Sequence, residues 1–183
     1  MPNIFLASDH HFSHAGVIKF FREDGVTVLR DFATTEEMNE HMIAQHNQVV
    51  GKNDKVYMLG DVAFNKKGLA NVGKLNGNKV LIKGNHDKES LNEYIKYFQD
   101  IRGSHQFDGM VLTHIPVHPN SLSRWPINVH GHLHSNVVTI EGTKTPDPRY
   151  YCVSMEQLDD YTPVSLEELK LRIKNRLEAS AES

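Results

Sequence analysis

The chain has 183 residues, 39% of them hydrophobic and 23% charged, and carries a net charge of −3 at pH 7. That is the make-up of an ordinary globular protein, long enough for one well-filled domain and short for two, so residues 1–183 are read as a single domain. The acidic balance disfavours a general nucleic-acid binder, no apolar run approaches the ~20 residues of a membrane span, and the first residues lack the basic flank of a signal peptide. The lone Cys152 excludes an internal disulfide and fits a reducing compartment, so a cytoplasmic location is expected.

Ile4–Ala7 reads as a wholly apolar strand of the kind covered on both faces. Residues 9–24 form a loop-rich insertion with a helical turn near 17–21. Thr34 and Glu37 make a capping box that opens a helix carrying Met38, Met42, Ile43, Val49 and Val50 toward the core and stopping near Gly51. A strand follows at 56–59, a short helix at 69–75, a turn at Gly77-Asn78, and a strand at 79–83. Residues 88–98 read as a helix with Leu91, Tyr94, Ile95 and Phe98 on one face. Short strands at 109–113, 127–129, 137–140 and 150–155 are separated by Pro- and Gly-containing turns. Ser165 and Glu168 open a last helix bearing Leu166, Leu169, Ile173 and Leu177, and 179–183 reads as a frayed tail. This order predicts an α/β fold of two face-to-face sheets with helices outside.

Histidine is abundant, with 12 residues. His41, His46 and His105 read as solvated or half-buried scatter. The other nine gather in nearby loops and in polar clusters where strands end, the clusters being Asp9-His10-His11, Gly60-Asp61, Gly84-Asn85-His86-Asp87, Thr113-His114 and Gly131-His132-Leu133-His134. Open α/β sheets present ligands at the carboxyl ends of their strands. Asp9 with His11, and His132 with His134, stand two residues apart, which on extended chain points both side chains one way. Asp61 has two oxygens and is able to bridge two cations; Asn85 offers a neutral oxygen. Asp9, His11, Asp61, Asn85, His114, His132 and His134 thus supply mixed O and N donors that suit Mn, Fe, Zn or Ni as two divalent ions, and not Ca. Such a pair would acidify a shared water to a hydroxide that attacks a phosphate ester in line, with His86 giving the proton and Asp87 orienting His86 or holding its loop.

Taken in order, Asp-x-His, Gly-Asp, Gly-Asn-His-Asp, a lone His and Gly-His-x-His resemble the signature of the calcineurin-like metallophosphoesterases, over residues 9–134. The resemblance implies a two-sheet αββα sandwich with the site at one end, and no inserted cap domain interrupts the motifs. It also implies one metal on Asp9, His11, Asp61 and His134, and a second on Asp61, Asn85, His114 and His132, with Asp61 bridging. The start Ser8-Asp9-His10-His11-Phe12-Ser13-His14 is similar to a compact bacterial and phage branch, in which the position of His10 is variable, so His10 is not counted as a ligand.

The implied activity is a dinuclear-metal phosphodiesterase or phosphatase acting on small phosphoesters or nucleotides. A nuclease is disfavoured by net acidity. A non-catalytic scaffold on the same fold is disfavoured by His86, which scaffold members of the superfamily typically lack. His14 either contacts phosphate or stabilises the insertion; His118 reads as a loop residue. Arg22 and Arg124 are weaker candidates for phosphate contacts, since exposed arginines are usually solvated, and Trp125 is either a wall for a ring or core.

Overall fold

The computed structural model describes residues 2–181. β1 (Ile4–Ala7), β2 (Lys55–Met58) and β3 (Asn78–Ile82) run parallel, with Ala7 opposite Met58 and Met58 opposite Leu81. Three parallel strands in near register bring three carboxyl ends to one edge. β4 (Asp100–Arg102) adds in parallel beside β3, and β9 (Val164–Ser165) pairs antiparallel with β1, so the order is β4-β3-β2-β1-β9. In the second sheet β5 (Ser104–Phe107) pairs antiparallel with β6 (Met110–Thr113), followed in parallel by β7 (Ile127–His130) and β8 (Tyr150–Cys152).

One apolar cluster joins the sheets. Leu6, Met58 and Leu81 from the first meet Leu112, Val129 and Val153 from the second, all with no exposed surface. Each such side chain contributes about 1.5–3 kcal/mol by leaving water. At the carboxyl ends the sheets also touch through backbone: Ser8 bridges Ser154, with Ser8 N–H donating to Val153 O at 2.8 Å and Met155 N–H to Ser8 O at 3.1 Å. The architecture is the expected α/β sandwich of two largely parallel sheets flanked by helices, with no cap domain among the described residues. No helix among them is long and apolar enough to cross a membrane.

The helices are α1 (Thr35–Val49), α2 (Lys66–Leu69, continued by a 3-10 turn at Ala70–Lys74), α3 (Leu91–Tyr94) and α4 (Leu166–Ala181). Thr34 Oγ1 accepts from Glu37 N–H at 3.1 Å, while the Glu37 carboxylate turns back to Ala33 N–H, one residue before the cap. Met38, Met42 and Val50 are buried as expected, but Val49 is exposed and His46 is fully buried, its Nε2 bonded to Asn76 O at 3.0 Å.

Several expectations are corrected. The helix read at 88–98 shrinks to the single turn of α3, because Leu91 and Ile95 find no partner surface and only Tyr94 and Phe98 reach the core. The strand read at 137–140 reduces to an isolated bridge between Thr139 and Pro146, with Val137 and Ile140 exposed. β4, β5 and β9 went unread; they are short edge or near-edge strands without an apolar run. α4 continues through Ala181, into the stretch read as frayed; Glu182 and Ser183 lie outside the described residues.

Candidate metal centre

The five polar clusters meet where the two sheets fuse. Asp9 follows β1, Asp61 follows β2, the Gly84–Asp87 turn follows β3, His114 follows β6, and His132 and His134 follow β7. The approach is close. Gly60 has φ +88°, and a Cβ there would stand 2.7 Å from Gly84 Cα and from His114 Nδ1, so only glycine lets the second and third loops touch.

Donor atoms gather in two buried or half-buried triads, Asp9–His11–His134 and Asp61–His114–His132, each with its atoms within 4.8 Å of one another. Asp61 Oδ2 joins them: it lies 3.7 Å from His11 Nε2 and 3.3 Å from His114 Nε2. Its other oxygen is committed, accepting from His86 N–H at 2.7 Å. Asp9 divides in the same way. Oδ2 accepts from His132 N–H at 2.9 Å and Ser154 Oγ at 2.8 Å, while Oδ1 is buried with no partner. Asn85 Oδ1 approaches His114 Nε2 at 2.8 Å from an otherwise exposed residue.

The imidazole tautomers follow from the partners. His114 Nδ1 faces Leu59 O at 2.7 Å, and a carbonyl only accepts, so Nδ1 carries a proton; Nε2 faces two further acceptor oxygens, Asp61 Oδ2 at 3.3 Å and Asn85 Oδ1 at 2.8 Å, a convergence that a cation held by all three would satisfy. His134 Nδ1 faces Glu156 Oε1 at 3.0 Å, freeing Nε2. His11 is 3% exposed with both ring nitrogens unpartnered. Buried donors and acceptors are ordinarily satisfied. The unpartnered His11 ring, the His114 Nε2 among acceptor oxygens and a free carboxylate oxygen on Asp9, all converging, fit divalent cations.

Backbone strain marks the same residues. Asp9, His11, Asp61, His132 and His134 all have φ between 50° and 69°, the left-handed region that costs a non-glycine residue about 1–2 kcal/mol. Such strain persists where surrounding structure over-determines it, and it concentrates at functional sites. Electrostatics agree. Burial alone would raise the Asp9 pKa, but His11, His114 and His134 hold it well below the usual carboxylate range. Burial works against the charge on His114 and His134, yet Asp61 and Glu156 respectively leave their pKa values raised. Burial and then His114 lower that of His132.

Outside the triads, the His86 ring is half-buried, 5.6 Å from the His11 ring and at 65° to it. The Asp87 carboxylate makes no hydrogen bond to that ring. It accepts from the N–H groups of Asp61, Val62 and Gly84 at 2.8–3.0 Å, stapling two ligand loops together. His14 stacks on Phe64 and lies 5.4 Å from the His11 ring; burial and then His11 pull its pKa to about 4. His10 is buried against Phe12 and belongs to neither triad. Arg22 and Arg124 are exposed and hydrogen-bond to none of these groups; Arg124 lies over Trp125, which packs against Val111, Leu122 and Tyr150. His118 caps the 3-10 turn at Asn120 N–H, a loop role as expected.

Two residues escaped the sequence reading. Arg30, with no exposed surface, donates to Glu156 Oε1 at 2.7 Å, to His10 O at 2.7 Å and to Asp9 O. Glu156 in turn holds His134. The two stand 126 residues apart and neither lies in a motif, so no local signal announces them.

Over 173 residues the chain is 35% identical to the uncharacterized protein MJ1445 of Methanocaldococcus jannaschii, covering 91% of this chain and 89% of that one. The chain belongs to that protein's family. A second resemblance, 27% identity over 200 residues, is to the gene 66 protein of Mycobacterium phage D29, covering 90% of this chain and 93% of the phage protein. A protein of unknown function from Aquifex aeolicus shares the fold at a TM-score of 0.64 and 24% identity, covering 93% and 98% of the two chains. No family model matches.

Proposed function

We propose that the chain is a calcineurin-like metallophosphoesterase, a single-domain hydrolase of phosphate mono- or diesters that works with two divalent cations. The observation that carries this reading is the position of Asp61 Oδ2 between the two triads, beside an Asp9 oxygen and a His11 ring that are buried without hydrogen-bond partners. Asp9, His11, Asp61 and His134 would hold one ion, and Asp61, Asn85, His114 and His132 the other. Their mixed O and N chemistry suits Mn, Fe, Zn or Ni. When bound, such a pair polarises the phosphoryl group and supplies an activated water near neutral pH.

The chain's own groups do the rest. His86 N–H pins Asp61 Oδ1 and thereby aims Oδ2 at both triads. The His86 ring, half-open to solvent beside His11, is placed to give a proton to the departing oxygen or to balance charge on the phosphoryl oxygens. Asp87 keeps the loops bearing Asp61 and His86 in fixed relation. Glu156 holds the His134 tautomer, and Arg30 holds Glu156.

The test is hydrolysis of bis-p-nitrophenyl phosphate and p-nitrophenyl phosphate by purified, metal-stripped protein resupplied with Mn²⁺, Fe²⁺, Zn²⁺ or Ni²⁺ in turn. Turnover that depends on added metal is expected. Folded protein inert with every metal contradicts the reading.

A further inference from the structure

The rim beside the first triad is aromatic. His14 lies face to face on Phe64, with centroids 4.2 Å apart and rings 4° from parallel, and takes Phe20 edge-on at 5.8 Å. Because His14 is also 5.4 Å from the His11 ring, this shelf begins at a triad member and runs outward. Phe20 and Phe64 each leave 51% of their surface in water, and Phe21 leaves 57%. Single exposed apolar side chains are commonplace. Here phenylalanines gather around an imidazole whose Nδ1 is itself buried without a partner, next to a cluster of ligand-type donors.

Phe64 is also fixed in place. Its N–H donates to Phe12 O at 3.1 Å, and the neighbouring Ala63 bridges Phe12, on the same loop that carries Asp61. The exposed half of the ring adds nothing to folding, yet its distance from the triads is set by backbone pairing.

We infer that Phe64, backed by His14 and edged by Phe20, is the platform on which the base of a small nucleotide ester stacks while its phosphate occupies the two triads. The inference rests on the hydrolase reading above. The ring-to-ring steps of 5.4 Å from His11 to His14 and 4.2 Å from His14 to Phe64 put the half-exposed Phe64 ring two side-chain contacts from the first triad, within the span of a nucleotide. A flat aromatic face takes any base without hydrogen-bond readout. A small nucleotide suits the surroundings better than a polynucleotide, because the lysines next to Phe64 are already engaged. Lys66 and Lys96 share Glu93 at 2.8 and 2.6 Å and Lys67 stands 3.9 Å from Glu36, so the cluster offers a nucleic-acid backbone one net positive charge rather than a basic track.

Calorimetric titration of Mn²⁺-loaded protein with adenosine 5′-monophosphate and with ribose 5-phosphate isolates the base, since the two share phosphate and sugar. The wild type is expected to bind the nucleotide about tenfold or more tightly than the sugar phosphate, the usual worth of one base stack. Phe64→Leu should bring that ratio to within about twofold of unity, and Phe20→Leu should reduce it less. Half-exposed Phe64 tolerates the change, and a melting curve checks the fold. Equal affinities in the wild type, or a ratio unmoved by Phe64→Leu, would overturn the platform. Tighter, steeply salt-dependent binding of a single-stranded oligonucleotide would overturn the small-nucleotide assignment. Ester hydrolysis is measured separately, so a base preference without turnover would sink the hydrolase reading and leave the platform standing.

Discussion

The two triads are built from similar donors but braced differently. Asp61–His114–His132 is held by backbone: His114 by Leu59 O, and the Asp61 loop by Asp87 through three N–H groups. Asp9–His11–His134 depends on a buried ion pair, Arg30–Glu156, brought from opposite ends of the chain. The Leu59 carbonyl comes with the strand end itself, and Asp87 braces through hydrogen bonds to backbone N–H groups rather than through a second buried charge. A buried ion pair is vulnerable, because loss of one partner strands the other without water. Damage to the chain should therefore reach the first triad more easily than the second.

The largest effect is expected where the triads join. Asp61→Asn removes the shared charge and should lower phosphodiester hydrolysis below detection; full activity in that variant would show that the triads act independently. His86→Ala should leave both ions bound and cut turnover by about 10²–10⁴-fold, the usual worth of acid–base help. A variant as active as the wild type would remove His86 from the reaction. Arg30→Met leaves the buried Glu156 carboxylate with His134 as its one partner, and should destabilise the protein by about 3–5 kcal/mol in urea unfolding. Glu156→Gln keeps the shape but weakens the hold on His134. It should reduce the affinity of one ion about 10–100-fold and spare the other, which a two-step metal titration resolves.

The smallest effect lies outside both triads and serves as a control. Burial of His46 pulls its pKa to about 4 from an unfolded value near 6.5. The unfolded chain then binds more protons between those values, so stability is full above about pH 6.5 and falls as pH drops toward 4. His46→Gln should flatten the stability–pH curve by about 1–2 kcal/mol between pH 7 and pH 5 without altering metal binding. An unchanged slope would mean that His46 takes up its proton alike in the folded and unfolded chain.

How much of this was legible in the sequence depended on locality. β1 was read to the residue, and β2, β3, β6 and β7 within a residue or so at their ends, because each is an apolar run stopped by a polar cluster. The donors now seen to converge were nameable for the same reason: each cluster is a few adjacent residues. Periodicity misled at α3, where Leu91 and Ile95 have helical spacing but no surface to cover them. It misled again at Val137 and Ile140, whose β-branched side chains found no neighbouring strand. Arg30 and Glu156 were out of reach altogether, since their meaning lies in a contact between distant segments. Phe64 was passed over because its partner, His14, comes from another loop.

The most direct test is the number of ions bound. Calorimetric titration of metal-stripped protein with Mn²⁺, checked by elemental analysis, should give two equivalents per chain in the wild type and no more than one in Asp61→Asn. One equivalent or none in the folded wild type, or two retained by the variant, would contradict a pair of cations joined through Asp61.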